Sequence, residues 1–165
     1  MQATCKPYLQ IQMNIKAKAG LTAATLAAAT AFIVSWEGNK MKPYKDMAGI
    51  DTACAGVTKG IDFSKIYTAK ECAEMNATQI QIHAQEVLAC VKRDVTQDEQ
   101  VALVSLAYNA GSSAICKSTL MRKLNANESY CDEYLRWNLV NGKPVRGLTN
   151  RRTAERALCI RGTQQ

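Results

Sequence analysis

The chain has 165 residues, enough for one domain with a true core and too few for two comfortable ones. With 47% apolar and 21% charged residues it is a folded globular chain and not a disordered tail, and an aromatic share of 6% argues against a large base-stacking surface. The formal charge is +7 and lopsided: residues 1–100 carry 11 Lys/Arg against 10 Asp/Glu, residues 101–165 carry 10 against 4. A basic C-terminal part favours an anionic partner, whether nucleic acid, acidic lipid or an anionic cell-wall polymer, held by an attraction that salt weakens.

The first twelve residues, "MQATCKPYLQIQ", fit neither a helix start nor a targeting segment, and "MNIKAKAG" from Met13 is the more natural opening. From Ala19 to Trp36 there is no charge, and Lys16 and Lys18 precede this run. Eighteen residues are at the short end for a membrane span, and seven alanines with three threonines make the run weakly hydrophobic. Three readings stay open: a segment that engages the membrane at some stage, a plain first helix with Phe32, Ile33 and Trp36 as its core face, and a signal cleaved near Ala27-Ala28-Ala29.

Residues 39–66 mix Gly, Pro, Asp, Lys and Thr between short apolar pieces, which predicts loops and a small hairpin. Thr68-Ala-Lys-Glu71 is a capping box that predicts a helix to about Val91, and Thr96-Gln-Asp-Glu99 opens a second helix through Val101, Leu103, Val104 and Leu106 to Tyr108. "NAGSS" breaks it. Shorter helices are predicted over 118–124, 129–138 and 150–160, with "NGKPVRG" as a turn-rich loop between the last two. His83, among Gln79, Gln81 and Gln85, is expected at the surface. Met41, Met47, Met75 and Met121 lack a helical stripe spacing and are read as packing. The fold class is α+β: a helix, a small β lobe, then a helical bundle.

Seven cysteines, Cys5, Cys54, Cys72, Cys90, Cys116, Cys131 and Cys159, contain no CxxC pair, and His83 is the single histidine. No metal site is expected, and the load points to disulfides and a periplasmic or extracellular setting. The pairing cannot be assigned by arithmetic.

"SWEGNKMKPYKDMAGIDT" carries the chemistry. Glu37, beside Trp36 and before Gly38, is placed at a helix C-terminus, where the helix dipole and partial desolvation favour the protonated form that a general acid needs. Asp46, in a polar loop, is expected to stay ionised, and Thr52 supplies a hydroxyl able to orient a water. One protonated and one charged carboxyl group is the pattern for glycosidic-bond cleavage. Spacing alone fits equally a solvated glutamate and a loop cap.

The pattern E-G-x5-Y-x-D-x3-[apolar]-x-T, here Glu37-Gly38, Tyr44, Asp46, Ile50 and Thr52, resembles the active-site motif of phage-type lysozymes. These muramidases include the endolysins of lambdoid and T-even phages. The likeness continues in "CAGVTKG", in "YTAKEC" at 67–72, in "LVSLAYNAG" at 103–111 and in "RWNLVNGKPVRGLTNRRTAERALC" from Arg136 to Cys159. It covers about residues 30 to 162.

The resemblance implies a lysozyme-like fold, mainly helical with a β-hairpin lobe beside the cleft. It implies hydrolysis of the β-1,4 bond between N-acetylmuramic acid and N-acetylglucosamine of peptidoglycan, with inversion, no cofactor and a monomeric enzyme. Glu37 is then the acid, Asp46 orients or activates the water, and Thr52 helps to hold it. The two carboxyl groups stand roughly 6.5–9.5 Å apart in an inverting enzyme. Tyr44 and Asn109 match positions near the cleft, Gly111 shapes the adjacent turn, and Arg151, Arg152 and Glu155 match a C-terminal motif read as mainly structural.

The resemblance also implies the pairs Cys54–Cys72, Cys90–Cys116 and Cys131–Cys159, with Cys5 left over. Val57 departs from the family, many members of which carry histidine there, and bears on lobe stability more than on chemistry; "TKG" in place of the usual "TG" bears on the loop geometry. Some lambdoid endolysins hold a weakly hydrophobic N-terminal signal-anchor-release segment in the host inner membrane, facing the periplasm, before release into it. "KAKAGLTAATLAAATAFIV" is similar to such a segment. On this reading residues 1–36 form the extension and anchor, through residues 19–36, and 37–165 the catalytic domain. The rival is a silent scaffold that binds peptidoglycan or disrupts membranes without turnover; a nucleic-acid binder is disfavoured.

Overall fold

The computed structural model describes residues 21–38, 40–45 and 49–165. Thr22 starts the first helix, its hydroxyl accepting from the Thr25 amide at 3.0 Å, and α1 runs Ala23–Glu37. Thr25, Ala29 and Ile33 recur at helical spacing and are the residues this helix buries, against α2 (Ala69–Leu88) and α3 (Gln97–Ala110). Phe32 is partly buried, and Trp36 is exposed, so the expected core face loses its last member. Trp36 lies past the end of the packed stripe, where α1 emerges at a cleft. Among the described residues no helix is long and apolar enough to cross a membrane.

Strands β1 (Lys40–Lys45) and β2 (Asp51–Cys54) pair antiparallel, with Tyr44 opposite Thr52. A bridge between Ala53 and Val57 folds the chain back, and the Tyr67 amide donates to the Met41 carbonyl at 3.0 Å. Ala53, Cys54, Val57, Tyr67 and Cys72 make the lobe's own small core. Val57, 2% exposed, is therefore a packing residue of this lobe.

Both capping boxes form: Thr68 with Glu71 starts α2, and Thr96 with Glu99 starts α3. Helix α3 is the axis of the molecule, with every residue from Glu99 to Ala107 buried. Around it pack α1, α2, α4 (Ser112–Cys116) and α6 (Arg146–Thr163), while α5 (Thr119–Asn125) and a 3-10 segment (Cys131–Arg136) close the far side. Disulfides Cys54–Cys72, Cys90–Cys116 and Cys131–Cys159 tie the lobe to α2, the end of α2 to α4, and the 3-10 segment to α6. They are the three pairs named above; Cys5 lies outside the described residues.

Four expectations need correction. The helix expected over 129–138 is the shorter 3-10 segment. The stretch expected as a loop from Asn141 forms a hairpin, β3 (Leu139–Val140) with β4 (Lys143–Pro144), and α6 starts directly after it, four residues earlier than expected. Asn141 and Gly142 turn it with φ of 50° and 75°, the left-handed pair that an Asn-Gly hairpin turn requires. His83 is half-buried: its Nδ1 lies 2.9 Å from the Ser112 hydroxyl, and its ring meets the edge of Tyr108. Met121 is in the core and Met75 packs on the lobe, but Met41 is exposed; Met47 lies outside the described residues.

Candidate active site

Glu37 is the last residue of α1, and Gly38 leaves the helix with φ 70°. That turn aims the carboxylate out of the helix end into a cleft of about 830 Å³ between α1, α3, the β3–β4 hairpin and α6. Trp36, Asn109, Trp137, Leu139 and Arg151 line it with Glu37. The Glu37 side chain keeps 23% of its surface open, enough to reach a ligand while most of it is fixed by protein.

One hydrogen bond fixes it, and the lobe lies close behind. Arg151 Nη1 donates to Glu37 Oε1. The other oxygen faces the lobe: a Cβ added at Gly56 would lie 3.7 Å from Glu37 Oε2, so the lobe's turn backs directly onto the carboxylate. The lobe is pinned there by the Tyr108 hydroxyl, which donates to the Ala55 carbonyl at 2.7 Å, and by Asn76 Oδ1, which accepts from the Ala55 amide at 3.1 Å. Burial and the Glu37 charge push the Tyr108 hydroxyl up to about 12, against the opposing pull of Arg151. It stays a donor across the working range of an enzyme.

Arg151 is itself buried, with its Nε 3.2 Å from Glu155 Oε1 and its Nη2 donating to the Ser105 carbonyl at 3.2 Å. Ser105 Oγ donates to the same Glu155 oxygen at 2.6 Å. Arg152 adds a second cation: Nη2 donates to Glu155 Oε1 at 2.7 Å, and Nη1 donates to Asn109 Oδ1 at 3.0 Å. Burial raises the Glu155 carboxyl and lowers the Arg152 guanidinium, each offset in part by the other's charge.

Of the expected site residues, Glu37 and Asn109 share the cleft. Gly111, φ 90°, ends α3 just beyond Asn109, its amide donating to the Ala107 carbonyl at 2.8 Å. Thr52 is buried on β2 opposite Tyr44, and its hydroxyl donates to the Ile50 carbonyl at 3.0 Å. Neither Thr52 nor Tyr44 lines the cleft described above. Asp46 lies outside the described residues. Among the described residues no group of three or more His, Cys, Asp and Glu is arranged to hold a metal.

What the sequence reading undervalued is Arg151, taken as structural and found on the Glu37 carboxylate. Two signals pointed to it. Ser105 is a lone hydroxyl within the apolar run "VALVSLA", and Arg151-Arg152-x-x-Glu155 has the i,i+3 and i,i+4 spacing that brings both cations to one carboxylate.

The phage lysozyme family model matches residues 34–155. The SAR-endolysin of Enterobacteria phage P21 is 37% identical over 131 residues, 78% of this chain and 79% of that protein. The SAR-endolysin of Pseudomonas phage phiKMV is 35% identical over 152 residues, 88% of this chain and 94% of that protein. Among solved structures, the active form of P1 phage endolysin Lyz superposes with a TM-score of 0.73 at 25% identity, over 82% of this chain and 84% of that one. The matched span begins three residues before Glu37 and ends on Glu155, taking in that carboxylate, the lobe that backs it and Arg151, which holds it: the chain belongs to the phage lysozyme family.

Proposed function

We propose that Glu37 protonates the glycosidic oxygen between N-acetylmuramic acid and N-acetylglucosamine, while Asp46 activates a water on the opposite face of the sugar and Thr52 helps to hold it. Family membership makes the chain an endolysin-type glycoside hydrolase acting on bacterial peptidoglycan for host lysis. The observation that carries the assignment of the acid is the seat of Glu37: a helix-terminal carboxyl open to a large cleft, with one oxygen on Arg151 and the other against the Gly56 turn. In the first step the proton passes from Glu37 to the leaving oxygen as the C–O bond breaks, and the water gives its proton to Asp46 as it attacks the anomeric carbon. Direct attack by water inverts that carbon, and Glu37 regains its proton from solvent.

Proton NMR of the first-formed product from soluble peptidoglycan fragments tests this scheme. The α-anomer of the newly exposed muramic acid end is expected first, and Asp46→Asn should abolish its appearance. A β-anomer formed first means retention and removes Asp46 from the role of general base.

Residues 1–36 are read as an N-terminal extension and anchor that takes in all of α1 but its last residue, and 37–165 as the catalytic domain. The relatives named above are SAR-endolysins, and the weakly apolar run ahead of Glu37 supports the same course here: inner-membrane anchoring, then release to the periplasm. Ala29 and Ile33, fully buried against the core in this structure, lie within the same run. A segment held in lipid cannot also fill that core, so α1 docks, and Glu37 reaches the cleft, only after release.

A further inference from the structure

Glu155 is a buried ionisable group that the bond-cleaving scheme leaves without a task. It has no exposed surface, and its carboxylate sits between two consecutive guanidiniums, Arg151 Nε at 3.2 Å and Arg152 Nε at 2.7 Å. Both arginines continue past it toward the cleft. Arg151 ends on Glu37, and Arg152 ends on Asn109 at 3.0 Å. The carboxylate and both guanidiniums belong to α6, and the two cations run on from it to cleft residues of α1 and α3.

We propose that Glu155 is a positioning residue that holds Arg151 against Glu37 and Arg152 against Asn109, and so governs proton delivery by Glu37 without touching substrate. The inference rests on Glu37 being the acid. Two desolvated guanidiniums side by side repel each other strongly, and one carboxylate shared between them removes most of that cost. With it gone, each arginine is left with its cleft partner, the other cation and neutral neighbours. Ser105 completes the clamp, since its hydroxyl donates to Glu155 and lies 3.4 Å from Arg151 Nε as acceptor.

Among the described residues the groups facing this cluster are few. Glu155 meets Arg151 and Arg152 from its own helix, Ser105 from α3 and the field of Tyr134 from the 3-10 segment. Glu37 and Arg151 meet Tyr108 from α3, which also feels Tyr44 from β1. Glu155→Gln removes one negative charge and changes little else in shape. Arg151 is then less compensated, and its positive field at the cleft grows.

The test is kcat and KM against pH on solubilised peptidoglycan for wild type, Glu155→Gln, Glu155→Asp and Glu99→Gln. Glu99 is an equally buried, ion-paired carboxylate at the far end of α3, bonded to Arg93 and Tyr130 and away from the cleft. Glu155→Gln should lower kcat roughly tenfold with KM nearly unchanged, and move the alkaline limb to lower pH. Glu155→Asp, which keeps the charge, should restore the position of that limb. Glu99→Gln should lose stability with both kcat per folded molecule and the limb unchanged. The proposal is overturned if Glu155→Gln behaves like Glu99→Gln. Should Glu155→Gln fail to fold, Ser105→Ala is read in its place: reduced kcat supports the clamp and wild-type kcat with a wild-type pH profile overturns it. A Glu37→Gln enzyme that still turns over would overturn the assignment of the acid instead, so the two failures are separable.

Discussion

The carboxylates of this chain show how neighbours, more than burial, decide what an acid does. Glu99 and Glu155 are both almost wholly buried, yet they shift in opposite directions. Burial pushes Glu99 up, but hydrogen bonds from Tyr130, the Thr96 amide and Arg93 outweigh it and leave the carboxyl below its usual range. Exposed Glu71, bonded to Lys65 and to the Thr68 amide and hydroxyl, falls from 4.5 to about 2. A carboxyl depressed on folding adds stability that is present above its unfolded value and is lost as pH falls through the folded one. Glu155, raised by burial, acts in the opposite sense. Urea midpoints should therefore decline as pH drops from about 4.5 toward about 2, and Glu71→Gln should flatten the decline. Midpoints indifferent to pH across that window would contradict the assignment.

At the scale of elements, the docking of α6 on α3 depends on one missing side chain. A Cβ at Gly162 would lie 2.4 Å from Thr96 Oγ1, 2.9 Å from Glu99 Cγ and 3.0 Å from the Glu99 amide nitrogen. The last of these is backbone and cannot swing aside. Gly162→Ala should cost on the order of 1–3 kcal/mol through overpacking, more than any gain in helix propensity returns. Calorimetry showing an unchanged or higher Tm would mean that the two helices have room to part. The elements differ in how legible they are. Both capping boxes announce their helices, because the Thr and Glu side chains satisfy the first amides wherever the rest of the chain goes. Asn141-Gly142 was equally readable as a two-residue hairpin turn, but the strands beside it are only two residues each and too short to show alternation. The 3-10 segment is shorter than the helix expected over 129–138, with Tyr130 at its start and no side-chain cap.

Across the whole molecule, the fold brings α1, the lobe turn and α6 to one carboxylate from positions as far apart as 37, 56 and 151. Disulfides enclosing 18, 26 and 28 residues each restrict the unfolded chain, a contribution of about 3 kcal/mol apiece in the loop-entropy account. Glu37 and the lobe motif were legible because they lie within one short stretch whose spacing is a signature. The Arg151–Glu37 pair was not, because its members are 114 residues apart and only the packing of α6 across α3 brings them together. The central claim is that Glu37 donates the proton that breaks the glycosidic bond. Reducing-end release from purified peptidoglycan, compared between wild type and Glu37→Gln at equal folded concentration, tests it most directly. Near-complete loss in the variant, by roughly 100-fold or more, is the predicted result for removal of a general acid. Equal release by the two proteins would contradict it.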